Sequence, residues 1–320
     1  MKNTTDRLCL IVNPQSAGGA TGRRLPALKD AAARCFSSWE VRETRRQGHA
    51  TEIASEAVSQ GFTLVAAVGG DGTANEVVNG LMDGDTARGQ VAFTVVPAGT
   101  GSDLIKSIGV PTNVNEAMTA IANPAGDRPS DVLLVTCESE GRPIVRHCIN
   151  VAGFGINGDV VARVNSASKR FGGLATFFGA TMRTLASYDC PLVSVEWVEA
   201  DGTERTWEGD LYGAFIANGH YCGGGMWLGR GGSMQDGLVE LTIVPRIPVG
   251  KVARAIPRIY DGSLRDLDGI IFGRAKQVNA RIVKSRGPVV VDTDGEPPGN
   301  LPLQVRVLAG ALVVRGVWRK

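Results

Sequence analysis

The sequence predicts an α/β N-terminal domain on a doubly wound parallel sheet, followed by a β-sandwich C-terminal domain. Three observations carry this. Apolar runs of strand type alternate with helical periodicity through about the first 125 residues. Glycine-rich loops stand where the third and fourth of those runs end. Beyond Asn123-Pro124-Ala125-Gly126-Asp127 the helical alternation gives way to short β-rich runs separated by turn residues.

In order, Leu8-Cys9-Leu10-Ile11-Val12 is a continuous apolar run of buried-strand type, closed by Asn13-Pro14 and the Gly18-Gly19 turn. From Gly22 to Phe36, Leu25, Leu28, Ala32 and Phe36 recur at helical spacing. A strand over Glu40 to Thr44 precedes a helix over Ala50 to Ser59. Leu64 to Val68 runs into Gly69-Gly70-Asp71-Gly72-Thr73, and the helix after it carries Val77, Val78 and Leu81. Val91 to Val96 enters Pro97-Ala98-Gly99-Thr100-Gly101. Such β-loop-α repetition calls for a parallel sheet with ligands at the carboxyl ends of its strands.

The boundary falls near residue 127, giving domains 1–127 and 128–320. In the second, strands are expected at Val132–Thr136, Ile144–Val151, Leu192–Val198, Gly213–Ala217 and Val239–Val244. Four more follow at Gln277–Val283, Val289–Asp292, Leu303–Val307 and Ala311–Arg315. Helical stretches interrupt them near Gly158–Arg163 and Gly172–Leu185.

Composition narrows the function classes. A formal charge of +2 over 320 residues provides no electrostatic pull toward nucleic acid. The six cysteines lack zinc-type spacing and fit reduced thiols, hence a cytoplasmic protein. Met1 to Arg7 is polar, unlike a secretory signal, and no apolar run approaches the ~20 residues that span a bilayer. The 42 glycines are clustered, which suits turns and close ligand approach.

Gly69 to Thr73 sits between a strand and a helix, where backbone N–H groups and the helix dipole favour phosphate. It lacks the Gly-Lys-Ser/Thr ending of Walker A and the spacing of the dinucleotide fingerprint. Asp71 inside the turn would repel phosphate unless a metal or proton-transfer role compensates. Pro97 to Asp103 repeats the device, and Asn13 to Gly19 adds a third small-residue loop, so one crevice can collect all three. In Asp292-Thr293-Asp294-Gly295-Glu296, two carboxylates two residues apart point the same way if the chain stays extended, which suits metal binding or proton abstraction. A solvated Asp-Gly turn is the plainer alternative.

Taken in order, Gly69-Gly70-Asp71-Gly72-Thr73 with Asn75-Glu76, Gly99-Thr100 with Asp103, and Asp294-Gly295-Glu296 resemble the diacylglycerol kinase catalytic family. Bacterial soluble lipid kinases are its nearest members here, with sphingosine and ceramide kinases more distant. Asn13-Pro14, Asn218-Gly219, Gly223-Gly224-Gly225-Met226 and Met234-Gln235-Asp236-Gly237-Leu238 also match, so the resemblance runs from Leu8 to Val314. The first loop by itself is shared with NAD kinases and phosphofructokinases. The ordered set is more specific.

The resemblance implies a nucleotide cleft between the domains and transfer of a phosphoryl group from ATP to a lipid hydroxyl, diacylglycerol first. It implies ATP contacts from Asn13, Pro14, Gln15, Ser16, Ala17, Thr44, Gly70, Asp71, Gly72, Thr73, Ala74, Asn75, Glu76 and Thr100. Glu296 would accept the proton, with Asp294, Asp71 and Asp103 as the acidic network around a catalytic Mg²⁺. A separate structural Mg²⁺ would rest on Asp236 and the carbonyls of Ser233 and Leu238. Ser102, where many relatives carry Asn, and Gly101 after Thr100 depart from the pattern. NAD kinase and a non-catalytic ATP-binding regulator are the competing functions.

The implied partner is a lipid at a membrane surface, on the inner face of a cell membrane; a homodimer is a further expectation that no motif addresses. Phe171, Leu174, Phe178, Met182 and Leu185 share a helical face flanked by Lys169, Arg170 and Arg183. Such a stripe ordinarily faces a core, and an interfacial membrane contact is the alternative. His49, His147 and His220 have no metal-type spacing and are expected in structural roles.

Overall fold

The computed structural model describes residues 5–97, 103–156, 188–229, 231–263 and 268–318. Its N-terminal part pairs β1 (Arg7–Val12), β2 (Ser38–Glu43), β3 (Leu64–Gly69) and β6 (Ala92–Pro97) in parallel, in the order β2-β1-β3-β6. Between β3 and β6 lies a small hairpin of β4 (Met82–Asp83) and β5 (Thr86–Ala87). Leu8 to Val12 and Leu64 to Val68 are wholly buried, as expected of strands covered on both faces. At the sheet edge, β2 is only partly buried.

Helices α1 (Ala20–Arg23), α2 (Leu25–Cys35), α3 (His49–Ser59), α4 (Asp71–Leu81), α5 (Asp103–Ile108) and α6 (Val114–Ile121) alternate with these strands. The single helix expected over 22–36 is divided at Arg24, and Pro26 sits in the first turn of α2, where its missing N–H costs nothing. Leu28, Ala31 and Ala32 of α2 and Ile53, Ala54 and Ala57 of α3 enter the core beside the sheet. Each buried aliphatic side chain of valine or leucine size contributes about 1.5–3 kcal/mol.

The C-terminal part comprises β7 (Asp127–Ser139), β8 (Arg142–Cys148), β9 (Val151–Gly155), β10 (Leu192–Val198), β11 (Glu204–Ala217), β12 (Tyr221–Cys222), β13 (Met226–Trp227) and β14 (Val239–Pro245). The helix α7 (Val249–Asp261) follows, then β15 (Ile271–Ala275), β16 (Gln277–Lys284), β17 (Val290–Thr293) and β18 (Glu296–Arg315). Apart from the short β12–β13 hairpin they pair antiparallel around a second core, with Leu133, Val135, Phe154, Val195, Ile216, Leu241 and Val305 among its members.

β18 links the two parts. Its first half pairs β17 and β16, β7 runs antiparallel beside it from Asn300 to Arg315, and Val313 and Val314 lie parallel to Ala92 and Phe93 of β6. Leu308, Leu312 and Val314 consequently join the first core. Buried Arg315 clamps the junction, donating to Asp127 at 2.5 and 2.9 Å and to Asp6 at 2.6 Å.

Two expectations need correction. The run Ile144–Val151 is not one strand but β8 and β9, broken where the N–H groups of Ile149, Asn150 and Val151 all turn to the Asp294 carboxylate. The helix α7 was not expected, because Pro248, Gly250 and the internal Pro257 read as breaks. Ala98 to Ser102 and both helical stretches expected between 158 and 185, with the Phe171–Leu185 stripe, lie outside the described residues. Among the described residues no helix is long and apolar enough to cross a membrane.

Candidate active site

At the end of β3, Gly70 is extended and α4 starts at Asp71, so the first turn of the helix opens onto the strand ends. Asn13 joins this loop to β1: its N–H donates to the Val68 carbonyl at 3.0 Å, and its Nδ2 to Thr73 Oγ1 at 3.3 Å. Ala17, Gly18 and Gly19 all take positive φ (52°, 63° and 82°), a compact turn beside Pro14 and Gln15. Ser16 Oγ bonds the Asn13 carbonyl at 2.9 Å and Thr21 Oγ1 at 2.5 Å. Thr44, just past β2, donates its N–H to the Val12 carbonyl at 2.8 Å. The first, second and third loops of the parallel sheet are thereby held at one edge.

The acidic turn from the other domain reaches this edge. A Cβ on Gly72 would stand 2.9 Å from Glu296 Oε1, so the carboxyl lies directly against this glycine and would have to shift for a larger residue. Gln47 Nε2 donates to Glu296 Oε2 at 3.1 Å. Burial, and then the Glu76 charge, hold the Glu296 carboxyl above the ordinary glutamate range.

Asp71 accepts from the N–H groups of Asp103 (3.1 Å) and Leu104 (3.3 Å), fastening the loop to the start of α5. The buried Asp103 carboxylate accepts from Lys106 Nζ and from the Gly224 N–H, both at 2.7 Å. The second bond docks the β12–β13 hairpin, whose Gly223, Gly224 and Gly225 have φ of 56°, 87° and 114°. Lys106 Nζ also lies 5.8 Å from the centre of the Tyr221 ring, which stacks on Trp227. Burial first, then the charges of Asp103, Asp292, Asp71 and Asp294, raise the Cys222 thiol well above its usual range.

Asp294 and Glu296 do not point the same way. Asp294 and Gly295 take φ of 53° and 87°, so the chain turns sharply instead of staying extended. Asp294 is driven inward, where it accepts from the N–H groups of Ile149 (3.0 Å), Asn150 (3.0 Å) and Val151 (2.9 Å). Asn75 Nδ2 at 2.8 Å and Cys148 Sγ at 3.2 Å complete five donors. Asp292 contrasts with it. Its Oδ1 is shielded from water and has no hydrogen-bond partner. Burial and the neighbouring Asp294 and Glu296 charges, opposed by the Gly295 N–H, push the Asp292 carboxyl up to about 8.

Of the expected nucleotide contacts, Asn13 to Ala17, Thr44 and Gly70 to Ala74 lie along the strand-end edge, and Thr100 is outside the described residues. Two side chains in that set are committed elsewhere. Buried Asn75 holds Asp294 and the His147 carbonyl, and Glu76 accepts from the N–H groups of Gly48 (2.8 Å) and Ala50 (3.1 Å) at the start of α3. Ser233, Asp236 and Leu238 form a separate turn in which Asp236 accepts both flanking N–H groups, each at 3.0 Å. His49 begins α3, His147 lies in β8, and His220 Nδ1 bonds the Gly229 carbonyl at 2.8 Å.

Sequence reasoning passed over Gln47, Lys106, Asn150 and Cys222 as site residues. Only Lys106 had a usable signal, its i,i+3 spacing from Asp103 on one helix. The others meet through pairing across the two domains.

A diacylglycerol kinase catalytic domain matches residues 7–135, and the YegS C-terminal NAD kinase β-sandwich-like domain matches 150–316. A protein of Xanthomonas oryzae described as a probable lipid kinase, YegS-like, is 30% identical over 81% of this chain and 80% of its own length. One of the same description from Stenotrophomonas maltophilia is 28% identical over 96% of this chain and 95% of its own. A diacylglycerol kinase from Bacillus anthracis shares the fold, with a TM-score of 0.73 at 24% identity, covering 98% of this chain and 97% of that one. The NAD kinase likeness is confined to the C-terminal sandwich. The chain is thus a kinase belonging to the YegS-like family of bacterial lipid kinases.

Proposed function

We propose that this kinase transfers the γ-phosphoryl group of ATP to the hydroxyl of a membrane lipid, diacylglycerol first, giving phosphatidic acid, with Glu296 as the proton acceptor. One observation carries the assignment: the Glu296 carboxyl from the C-terminal sandwich stands against Gly72 in the first turn of α4, where a phosphate would be bound.

Each residue contributes a definable part. The first-turn N–H groups of α4 and the left-handed turn at Ala17 to Gly19 offer donors to phosphate oxygens. Lys106, held by Asp103, adds a cation at the crevice. Gln47 fixes Glu296 Oε2 and leaves Oε1 toward Gly72. A carboxylate whose proton affinity is raised is a better base than an exposed one. As the lipid oxygen bonds to the γ-phosphorus, its proton passes to Glu296, and the bond between phosphorus and the bridging oxygen breaks with its electrons leaving on ADP.

The site suits a nucleotide-borne divalent ion. Asp71 and Asp103 lie together, and the orphan Asp292 Oδ1 is an acceptor that nothing in the protein satisfies. Among the described residues no three His, Cys, Asp or Glu side chains group to hold a metal ion by themselves, so any such ion would draw its remaining ligands from phosphates and water. When bound, Mg²⁺ held by Asp71 and Asp103 supplies charge neutralisation on the phosphoryl oxygens. A lipid acceptor brings the protein to a bilayer surface from the cytoplasm.

The test is transfer of label from γ-labelled ATP to a panel of diacylglycerol, monoacylglycerol and sphingoid bases in vesicles, with NAD included. Label in diacylglycerol is expected. Label in NAD alone would overturn the acceptor class, and label in no acceptor would favour an ATP-binding regulator.

A further inference from the structure

The loop from Gly231 to Leu238 is where a structural divalent ion is expected, and its charge environment is unusual. Asp236 Oδ2 accepts from the Ser233 N–H at 3.0 Å and from Arg274 Nη2 at 2.6 Å. Oδ1 accepts from the Leu238 N–H at 3.0 Å. A carboxylate oxygen offers about two lone-pair directions, so Oδ2 is full. Arg274 is not a passing surface side chain. It stands directly across from Glu240 in the β14–β15 ladder, and its Nε lies 2.9 Å from Glu240 Oε1. Glu240 is only 4% exposed, so it needs that positive charge close by.

The loop is built onto this pair. A Cβ on Gly232 would lie 3.0 Å from Glu240 Cγ, which places the loop backbone directly over it. A second buried carboxylate, Asp131, takes the N–H groups of Gly237 and Gly310 at 2.8 Å each. Asp236 within the loop, Glu240 beneath it and Asp131 behind Gly237 thus put negative charge around one short segment. The Arg274 guanidinium serves two of them, hydrogen-bonding Asp236 through Nη2 and standing at ion-pair distance from Glu240 through Nε.

We propose that Arg274 is the built-in cation of this loop, standing in for a structural divalent ion, so that Ser233, Asp236 and Leu238 are ordered without metal. A dication at Asp236 would have to displace Arg274 Nη2 or sit beside it against like charge. The inference is independent of the reaction proposed above.

The experiment follows thermal unfolding of the nucleotide-free full-length protein in EDTA and in excess Mg²⁺ at matched ionic strength. The wild-type midpoint is expected to move by less than about 1 °C, with no part of any shift depending on Asp236. Arg274→Met is expected to melt about 3–6 °C lower in EDTA and to recover part of that loss in Mg²⁺. Adding Asp236→Asn to Arg274→Met should abolish the recovery. A saturable Mg²⁺ stabilisation of wild type that Asp236→Asn removes would overturn the proposal. So would an Arg274→Met protein as stable as wild type, or one destabilised but blind to Mg²⁺. If Arg274→Met fails to fold, the Mg²⁺ titration of wild type against Asp236→Asn decides by itself: no Asp236-dependent stabilisation supports the proposal, and a saturable one overturns it.

Discussion

Two Asp-Gly turns of the C-terminal domain end their carboxylates in opposite ways. At Asp294-Gly295 the aspartate is swallowed by five donors of its own protein, and the neighbouring Glu296 is left with one side-chain partner, Gln47. At Asp236-Gly237 the aspartate stays at the surface of its loop and closes on an arginine. Identical dipeptides thus serve one turn that presents a glutamate carboxyl to Gly72 and one that ties down a loop. What separates them is the supply of donors: three consecutive N–H groups between β8 and β9 in the first case, a cross-strand guanidinium in the second.

Breaking the first turn should have the largest effect. Asp294→Ala removes the acceptor for three backbone N–H groups, Asn75 and Cys148 together, and should cost about 3–5 kcal/mol in urea unfolding. A loss under about 1 kcal/mol would mean that water replaces the carboxylate readily, and that the two turns differ less than their hydrogen bonds suggest.

Glu296→Gln sharpens the comparison, because it changes chemistry without changing shape. Lipid phosphorylation should fall about 10²–10⁴-fold while the unfolding midpoint and ATP affinity stay near wild type. Near-normal turnover would remove Glu296 from the base role.

The pH profile gives a smaller and more graded signal. Burial and Glu76 raise the Glu296 carboxyl, and a base must be unprotonated, so kcat/KM should rise with pH through that elevated range. The residual activity of Glu296→Gln should lack that limb. If both proteins share it, the limb belongs to another group.

Asp292 supplies the finest test. Its folded value of about 8 lies above the unfolded one, so the folded state binds the extra proton between them. Stability tied to this carboxyl is therefore complete in acid and is lost as pH rises toward about 8. Asp292→Asn keeps the group neutral, so the gain of the nucleotide-free variant over wild type should grow steadily from about pH 4 to about pH 8. An equal effect at both pH values would show that packing, and not ionisation, is being changed.

How much was legible varied with the distance over which residues act. Leu8 to Val12 and Leu64 to Val68 announce buried parallel strands because every position is apolar, and both are wholly buried. The Gly69 to Thr73 loop was equally plain, since a strand, a glycine turn and a helix start are local signals. The helix α7 was hidden by Pro257, whose missing N–H reads as a stop although the helix continues through it to Asp261. The divided β8 and β9 could not be read from Ile144 to Val151, because the break answers to a carboxylate more than 140 residues away.

The sequence by itself determined the α/β domain and the sandwich, the strand-end loops that can hold phosphate, and the carboxylates that can handle a proton. Each follows from local periodicity, glycine placement or residue chemistry. Tertiary structure alone decided which carboxylate is spent. Asp294 and Glu296 look equivalent along the chain, yet one is saturated by donors from β9 and α4, while the other meets Gly72 across the crevice. A carboxyl's role depends on the donors around it, and those are supplied by strands and helices that meet only once the chain has folded.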